Sequence, residues 1–359
     1  MWILRKNMQS ISLKWLKTTI KEKNVMKALL IDVGSTFIKY SVYEKGKGVL
    51  YFDKTPFPEP LINDNVRFVV SRETLCDKIL NIFEKTQDYG CSVALFSVQM
   101  HGYVAKGKDG SFSEYVSWRD KSGDAKHAKF DKVNFNEFGL TLTNNLPVTK
   151  IDGDSVEEFY TLGSYLSFIL TGNNATHITD AFASGFYYSP SGKPNDFAKG
   201  MVMPSVCQDV EVVGEYKGVK IICPFGDHQI SFLGSGAKTD SYLINIGTGA
   251  QVCCIAPYGY PDAAYQKRPY FDTESCLYSF CGLRGIDGKS CDINDFINRL
   301  IESIKLLPKK NSVIVGGGGG EETFSFIKRA LEELGLSCVK ADFNVGTQGL
   351  IILAENLAF

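Results

Sequence analysis

The segment Gly226-Asp227-His228-Gln229 carries a residue type that phosphoryl transfer requires. Transfer of a phosphoryl group to a hydroxyl needs a base that takes the hydroxyl proton, together with Mg²⁺ to neutralise the phosphate charge. An aspartate that faces a cleft at the start of a helix suits the role of that base. The same residue type is also a frequent helix N-cap. From the local sequence, Asp227 is equally well interpreted as a base or as a cap.

Two short glycine turns could bind phosphate oxygens. Asp32-Val33-Gly34-Ser35-Thr36 ends a predicted strand, and Ile246-Gly247-Thr248-Gly249 repeats the pattern in the second half of the chain. Glycine permits a tight turn whose N–H groups can surround a phosphate, and Asp32 could hold Mg²⁺ directly or through water. A single such turn is common in hairpins without a ligand, whereas two in matching places favour a nucleotide clamp. Neither turn has the spacing of a P-loop.

A run of five glycines, Gly316-Gly317-Gly318-Gly319-Gly320, lies between a predicted strand and a predicted helix. Glycine within regular structure costs roughly 0.5–1 kcal/mol relative to alanine, because more backbone freedom is lost on folding. That cost is acceptable where a flat ligand approaches the backbone closely. The run therefore predicts a contact with adenosine through residues 316–318, and the alternative is a flexible loop without a ligand.

Polar and aromatic side chains follow a predicted buried strand near residue 98. Gln99, Met100 and His101 come directly after it, and strand ends are where α/β proteins place ligand contacts. Glutamine and histidine offer the donors and acceptors that sugar hydroxyls need. Trp118 offers an aromatic face for the C–H side of a sugar, and Asp120 offers a carboxylate for its hydroxyls. The alternative for His101 is a structural role, which is the commoner one for a single histidine.

The spacing of apolar residues predicts the elements that hold these groups. Strands are expected at 27–33, 37–44, 48–52, 93–98, 219–223, 242–246, 250–256, 277–281, 312–315 and 337–341. Helices are expected at 75–86, 157–170, 229–236, 292–306, 321–334 and 346–357. A strand, a glycine turn and a second strand, followed by alternating strands and helices, thus occur twice. This indicates a duplicated α/β unit, with a cleft that brings both glycine turns face to face.

The composition excludes several classes of protein. The 359 residues allow two domains, and 44% hydrophobic with 22% charged residues is typical of a globular chain. A net charge of −1 gives no electrostatic reason to expect nucleic acid or a membrane as partner. Ten irregularly spaced cysteines without a Cys-x-x-Cys pair predict reduced thiols in a cytoplasmic protein, and not a zinc site. Residues 1–25 are basic but lack the pattern of a signal peptide, so we expect an N-terminal extension that is disordered or not native. The alternative is a basic amphipathic arm or an organelle-type presequence.

These segments resemble, in the same order, the motifs of the FGGY family of carbohydrate kinases, within the sugar kinase, Hsp70 and actin superfamily. The two glycine turns are similar to its phosphate hairpins, and the glycine run is similar to its adenosine motif. Gln99-Met100-His101-Gly102 resembles the sugar contact of xylulose kinases, and Ser117-Trp118-Arg119-Asp120 resembles the segment that follows it. Three further segments are among the more specific matches: Leu170-Thr171-Gly172, Thr179-Asp180 and Ala183-Ser184-Gly185.

The resemblance implies an α/β protein with two RNase H-like (actin-like ATPase) domains that flank a central cleft. Residues 26–234 would form a sugar-binding first domain, and residues 235–359 a shortened second domain that binds the nucleotide. The implied cofactors are ATP and Mg²⁺, with Asp32 at the metal and Asp227 as the base. His228 and Gln229 would contact the substrate beside Asp227, although the family commonly has asparagine where this chain has His228.

The expected function is ATP-dependent phosphorylation of a sugar hydroxyl. Gly226-Asp227-His228-Gln229 and Arg268-Pro269-Tyr270-Phe271 most resemble sedoheptulose kinases, so the expected acceptor is a ketose such as xylulose or sedoheptulose. The alternative is a catalytically weak sugar- or nucleotide-binding regulatory protein on the same fold. An actin- or Hsp70-like ATPase fits less well, because those proteins have no sugar to hold. The expected partners are the sugar and ATP, and a homodimer is one possible assembly.

Overall fold

The computed structural model describes residues 26–130, 139–189, 191–246, 250–259, 265–272, 274–283, 292–317, 320–341 and 344–357. The predictions for residues 1–25, for Gly247, Thr248 and Gly249, and for Gly318 therefore lie outside the described residues. No helix within the described ranges is both long and apolar enough to cross a membrane. The nine cysteines in these ranges are free thiols.

The first part of the chain contains fourteen strands and four α-helices among its described residues. The strands are β1 (Lys27–Val33), β2 (Phe37–Glu44), β3 (Gly48–Pro56), β4 (Pro60–Asn63), β5 (Phe68–Val70), β6 (Val93–Val98), β7 (Tyr103–Gly107), β8 (Tyr115–Val116), β9 (Val156–Thr161), β10 (Ala175–His177), β11 (Ser205–Cys207), β12 (Val212–Tyr216), β13 (Val219–Ile222) and β14 (Phe225–Gly226). The helices are α1 (Arg72–Thr86), α2 (Leu162–Thr171), α3 (Ile178–Ala181) and α4 (Asp227–Gly234).

A seven-stranded sheet forms the centre of this part. Its strand order is β3-β2-β1-β6-β13-β12, with β14 also paired to β6. The central strand β6 is buried along its whole length, as is typical of a parallel strand covered on both faces. Helix α1 buries Leu75, Ile79 and Ile82, and its N-terminus is capped by Ser71, whose hydroxyl accepts from the Thr74 N–H. A five-stranded sheet (β4-β5-β8-β7-β9) and the β10-β11 pair complete the part.

The second part of the chain contains one six-stranded sheet among its described residues. Its strands are β15 (Ser241–Ile246), β16 (Ala250–Pro257), β17 (Gln266–Pro269), β18 (Ser275–Cys281), β19 (Ser312–Gly316) and β20 (Ser337–Lys340). Its helices are α5 (Ile293–Leu306), α6 (Gly320–Glu332) and α7 (Val345–Asn356). The strand order is β17-β18-β16-β15-β19-β20.

The two large sheets repeat one topology. Strand β15 pairs antiparallel with β16 and parallel with β19, as β1 pairs antiparallel with β2 and parallel with β6. In each sheet a third antiparallel strand, β3 or β18, lies beyond the second. The predicted α/β fold with a repeated unit is therefore confirmed. The division of the chain into domains at residues 234 and 235, and the shortening of the second domain, stay predictions.

The helix predicted over residues 157–170 is wrong in its first five residues. Residues 156–161 form β9, which pairs antiparallel with β7, and the helix α2 begins only at Leu162. The aromatic pair Phe159 and Tyr160 is buried in this strand. The apolar spacing fitted a helix, but pairing with a strand about fifty residues earlier decided the conformation, because sheet pairing rewards aromatic residues in a half-buried surface. Thr161 then caps α2 by accepting from the Ser164 N–H.

Helices α4 and α7 form the main contact between the two parts. They cross closely at glycines: a methyl group on Gly349 would overlap the Ile230 carbonyl oxygen, and one on Gly234 would overlap the Val345 carbonyl oxygen. Beyond the crossing, Leu350 and Leu353 of α7 share a core with strands β1 and β6. The crossing fixes the position of α4, whose first residue is Asp227.

Candidate active site

A cleft of about 1170 Å³ lies between the two large sheets. This volume exceeds the roughly 300–1,000 Å³ of a pocket for one small ligand, so the cleft has room for two. Most of the residues selected from the sequence line it: Asp32, Gly34, Ser35, Thr36, Gln99, Met100, His101, Trp118, Asp227, His228 and Gly317. The structure thus brings together side chains that are separated by up to 285 positions in the chain (Asp32 to Gly317).

Asp120, Gln229 and Gly316 do not line the cleft. The Asp120 carboxylate accepts hydrogen bonds from the Phe68 N–H (2.9 Å) and the Ser122 hydroxyl, and it pairs with buried Lys150 at 3.2 Å. The Gln229 amide donates to the Pro269 carbonyl at 2.9 Å. These contacts are those of structural residues. The predicted role of Asp120 and Gln229 as substrate contacts stays a prediction that their surroundings do not favour.

Asp227 is the first residue of α4, and the cap of this helix is Gly226. Burial of its carboxyl group and, to a lesser extent, the nearby charge of Asp32 raise the pKa to about 7, against the opposing charge of Arg268. A carboxyl group with a pKa near neutrality is suited to accept a proton late in a reaction and to release it afterwards. The position of Asp227 therefore fits the base better than the N-cap.

Asp32 lies at the end of β1, beside the first glycine turn. The β1–β2 hairpin places Lys39 directly opposite, and the two side chains form an ion pair at 3.6 Å. The start of α7 approaches from the other part of the molecule, so closely that a Cβ on Gly346 would lie 2.8 Å from an Asp32 oxygen. Asp32 is thus held where the two parts meet, and Lys39 adds a cation beside it.

Two buried polar side chains in the cleft have no hydrogen-bond partner in the described part of the protein. They are Gln99, through both amide atoms, and His228, through both ring nitrogens. Burial and the charge of Arg268 hold the pKa of His228 well below its ordinary value, so its ring is neutral. A buried polar group without a partner costs roughly 1–3 kcal/mol, and a ligand hydroxyl would remove that cost. Both residues are therefore placed to bind a polyhydroxylated ligand.

His101 is fixed by both ring nitrogens. Its Nδ1–H donates to the Ala183 carbonyl (2.7 Å), since that oxygen can only accept, and Nε2 is then free to accept from Arg268 (3.2 Å). Burial and the charge of Arg268 lower its pKa to about 3. The residue has φ of 65°, a left-handed conformation that is uncommon outside glycine. His101 is therefore a rigid neutral group at the cleft wall.

A hydrogen-bonded chain supports the turn before Asp227. The Gly226 N–H donates to the Thr179 hydroxyl at 3.1 Å, and that hydroxyl lies 2.9 Å from His177 Nδ1. The neighbouring Asp180 is buried and accepts from the hydroxyls of Thr161 and Thr176. The motif Thr179-Asp180, noted in the sequence, thus positions the candidate catalytic turn without lining the cleft.

Lys39 and Arg268 also line the cleft, although neither was selected as a site residue from the sequence. Lys39 could have been found, because counting outward from the glycine turn places it opposite Asp32 in an antiparallel hairpin. Arg268 was noted only within the segment that resembles sedoheptulose kinases, because its place in the cleft depends on the pairing of β17 with β18. Its guanidinium is buried and reaches His101 and Met100 across the cleft.

The residues present fit a magnesium–nucleotide complex. In the described ranges no three His, Cys, Asp or Glu side chains are grouped so that they could hold a metal ion alone. Asp32 and Asp227 both line the cleft, and Asp32 raises the pKa of Asp227, so a cation near both would relieve their repulsion. Mg²⁺ commonly takes one or two carboxylates and completes its shell with phosphate oxygens and water. Asp32 and the turn at residues 34–36 could supply the protein side of such a site.

Comparison with known proteins gives a clear result only at the level of structure. No protein-family model matches the chain, and no curated protein matches its sequence. The fold is similar to that of xylulose kinase from Lactobacillus acidophilus, with a TM-score of 0.79 and 17% identity over 92% of this chain and 89% of that one. Gluconate kinase from the same organism has a TM-score of 0.78 at 17% identity over the same shares of the two chains.

A third solved structure, Plasmodium falciparum glycerol kinase with ADP, has a TM-score of 0.77 at 12% identity, over 92% of this chain and 89% of that one. All three are carbohydrate kinases of the FGGY fold, with its actin-like ATPase architecture. The fold expected from the sequence motifs is therefore confirmed.

Proposed function

We propose that this protein is an ATP-dependent carbohydrate kinase that phosphorylates a hydroxyl of a ketose such as xylulose or sedoheptulose. The observation that carries the proposal is Asp227, a half-buried residue whose carboxyl group has a pKa of about 7 in a cleft with room for two ligands. Three solved structures with this fold are xylulose, gluconate and glycerol kinases, and the last of these contains ADP.

In the proposed reaction, the oxygen of the sugar hydroxyl bonds to the γ-phosphorus of ATP, and the bond between that phosphorus and the ADP oxygen breaks. Asp227 accepts the proton of the hydroxyl in the same step. Bound MgATP supplies the phosphoryl group and the cation. Gln99 and His228 hold the other hydroxyls of the sugar, because their polar atoms lack partners within the described protein. Asp32 holds the metal, and the glycine turn at residues 34–36 binds phosphate oxygens. Closure of the cleft around both ligands excludes water from Asp227, so that ATP is not hydrolysed instead.

The direct test is acceptor-dependent release of ADP. Purified protein is incubated with MgATP and a panel of ketoses, aldoses and polyols, and ADP is measured with and without each acceptor. We expect at least one sugar to stimulate ADP release, and Asp227→Ala to abolish the stimulation. Asp88→Ala, which removes an exposed carboxylate outside the cleft, is the matched control. Sugar binding by calorimetry without turnover of any acceptor would reject the kinase in favour of the regulatory binding protein.

The pH dependence of turnover should reveal the raised pKa of Asp227. A base acts in its ionised form, so kcat/KM should fall about tenfold per unit as pH drops below the pKa of about 7. The profile is measured with MgATP well below its KM, so that it reports the free enzyme. Because the charge of Asp32 contributes to the raised pKa of Asp227, Asp32→Asn should move the fall in kcat/KM to lower pH. If kcat/KM of the unmodified protein falls only as the pH drops below about 4, the assignment of Asp227 as the base is contradicted.

The nucleotide contact of Gly317, the metal contact of Asp32 and the cytoplasmic location stay predictions. So do the homodimer and the expectation that neither nucleic acid nor a membrane is a partner.

A further inference from the structure

Arg268 is a buried cation for which the described residues supply no anionic partner. Its side chain is 1% exposed, and the guanidinium lines the cleft. Among the residues that the structure describes, no carboxylate lies within 4.0 Å of it, and Arg268 takes part in none of the ion pairs. By contrast, the buried Lys150 of the first part pairs with Asp120. Buried charges in proteins are ordinarily paired, so Arg268 requires an explanation.

The groups that do contact the guanidinium are neutral. Nε donates to the Ser279 hydroxyl (3.3 Å), and Nη2 donates to His101 Nε2 (3.2 Å) and to the side-chain amide oxygen Oε1 of Gln266. Within the described ranges, the one hydrogen-bond acceptor of Nη1 is the Met100 sulfur at 3.6 Å, which is a weak acceptor. These contacts orient the guanidinium but leave its charge uncompensated, and they leave the Nη1 donors without a strong acceptor.

The surroundings of Arg268 place it at the acceptor end of the cleft. Its two partners in the first part, Met100 and His101, follow β6 in the segment assigned to the sugar. The phosphate-binding end, with Asp32 and the turn at residues 34–36, already has a cation in Lys39. The charge of Arg268 also acts on Asp227, which places the guanidinium near the hydroxyl that would react.

Resting on the proposed kinase function, we propose that Arg268 binds a carboxylate of the acceptor, so that the enzyme prefers a sugar acid over the neutral sugar of the same chain length. A guanidinium presents parallel N–H groups that match the two oxygens of a carboxylate. The ligand anion supplies the countercharge that the described protein lacks. Gln99 and His228 then hold the hydroxyls of the same molecule.

The test compares acceptors that differ in one group. For the unmodified protein, kcat/KM is measured for neutral ketoses and aldoses and for the aldonic, uronic and keto acids of the same chain length. Binding of the same compounds is measured by calorimetry without nucleotide. We expect the best acid to exceed its neutral counterpart by about 100-fold in both measurements, since a buried charge contact is worth at least that much.

Substitutions in β17 test whether Arg268 is the residue that causes the preference for acids. Arg268→Gln should lower the acid-to-neutral ratio by about 100-fold, chiefly through KM, and Arg268→Lys should restore part of it because the charge is kept. The control is Lys267→Gln, which removes the same charge from the opposite face of the strand and does not line the cleft. If the arginine variants fail to fold, the acid-to-neutral ratio of kcat/KM in the unmodified protein still tests the proposal.

The outcomes separate this inference from the proposed function. Turnover of neutral sugars without turnover or binding of acids would overturn the inference and leave the kinase intact. An equal loss of kcat for every acceptor in Arg268→Gln would also overturn it, because Arg268 would then act on the transferred phosphoryl group. If no acceptor is phosphorylated, the kinase proposal fails, and preferential binding of acids in calorimetry still supports the carboxylate site, whereas its absence overturns it.

Discussion

Replacing Asp227 by asparagine is expected to lower kcat about 10²–10⁴-fold and, at the same time, to make the protein more stable. The carboxyl group has its ordinary pKa of 3.8 in the unfolded chain but about 7 in the folded protein. Between these values the unfolded state has lost the proton and the folded state retains it, so stability falls as pH rises. Above pH 7 the full cost of a buried charge is present, on the order of 3 kcal/mol. Asparagine does not carry this cost.

The stabilisation is measured as the difference in Tm between Asp227→Asn and the unmodified protein at pH 8 and at pH 4. We expect a clear gain at pH 8 that largely disappears at pH 4, where the carboxyl group is protonated in the folded state and only about half ionised in the unfolded chain. Asp88→Asn, at an exposed site, should change neither Tm nor kcat. A loss of stability at pH 8 would mean that the carboxylate is a net stabilising helix-terminal group and not a strained catalytic one.

A single methyl group at position 349 is expected to destabilise the protein by about 1–3 kcal/mol, which is typical of overpacking in a well-packed interface. In Gly349→Ala the new carbon would overlap the Ile230 carbonyl oxygen, which belongs to the backbone of α4 and cannot rotate away. The helices must separate, and α4 carries Asp227 at its first residue. We therefore expect kcat to fall together with stability.

Urea unfolding measures the stability, and acceptor-dependent ADP release measures the activity. Gln348→Ala, at the adjacent and only half-buried position of α7, is the matched control because it adds no atom. Unchanged stability in Gly349→Ala would show that the crossing of α4 and α7 can widen without cost. Lost stability with unchanged kcat would show that the crossing does not position Asp227.

The spacing of apolar residues and the glycine turns predicted the strands and helices whose conformation depends mainly on residues close by in the sequence. The hairpin β1–β2, the buried strand β6 and the helix α7 were expected within one or two residues of their observed bounds. The failure at residues 157–161 has the opposite cause, because those residues are held by strand β7, which is distant in the sequence. Amphipathic spacing cannot reveal such a partner.

The same distinction applies to the site. Glycine turns and strand-end polar residues mark a cleft, since their function needs a particular residue type at a particular bend of the chain. The burial that raises the pKa of Asp227, and the absence of a countercharge at Arg268, arise from residues that converge only in the folded protein. Neither could be predicted from the sequence. The choice between cap and base for Asp227 likewise depended on seeing that Gly226 occupies the cap position.

The packing of α7 against the first sheet has a consequence for synthesis on the ribosome. Leu350 and Leu353 cover apolar side chains of β1 and β6, which are translated more than 250 residues earlier. The Tyr43 hydroxyl also donates to Glu355 at 2.7 Å. A nascent chain that has not yet emerged beyond residue 345 must therefore keep one face of its earliest sheet uncovered. This surface stays open to solvent or to a chaperone until α7 has been made, however early the strands themselves pair.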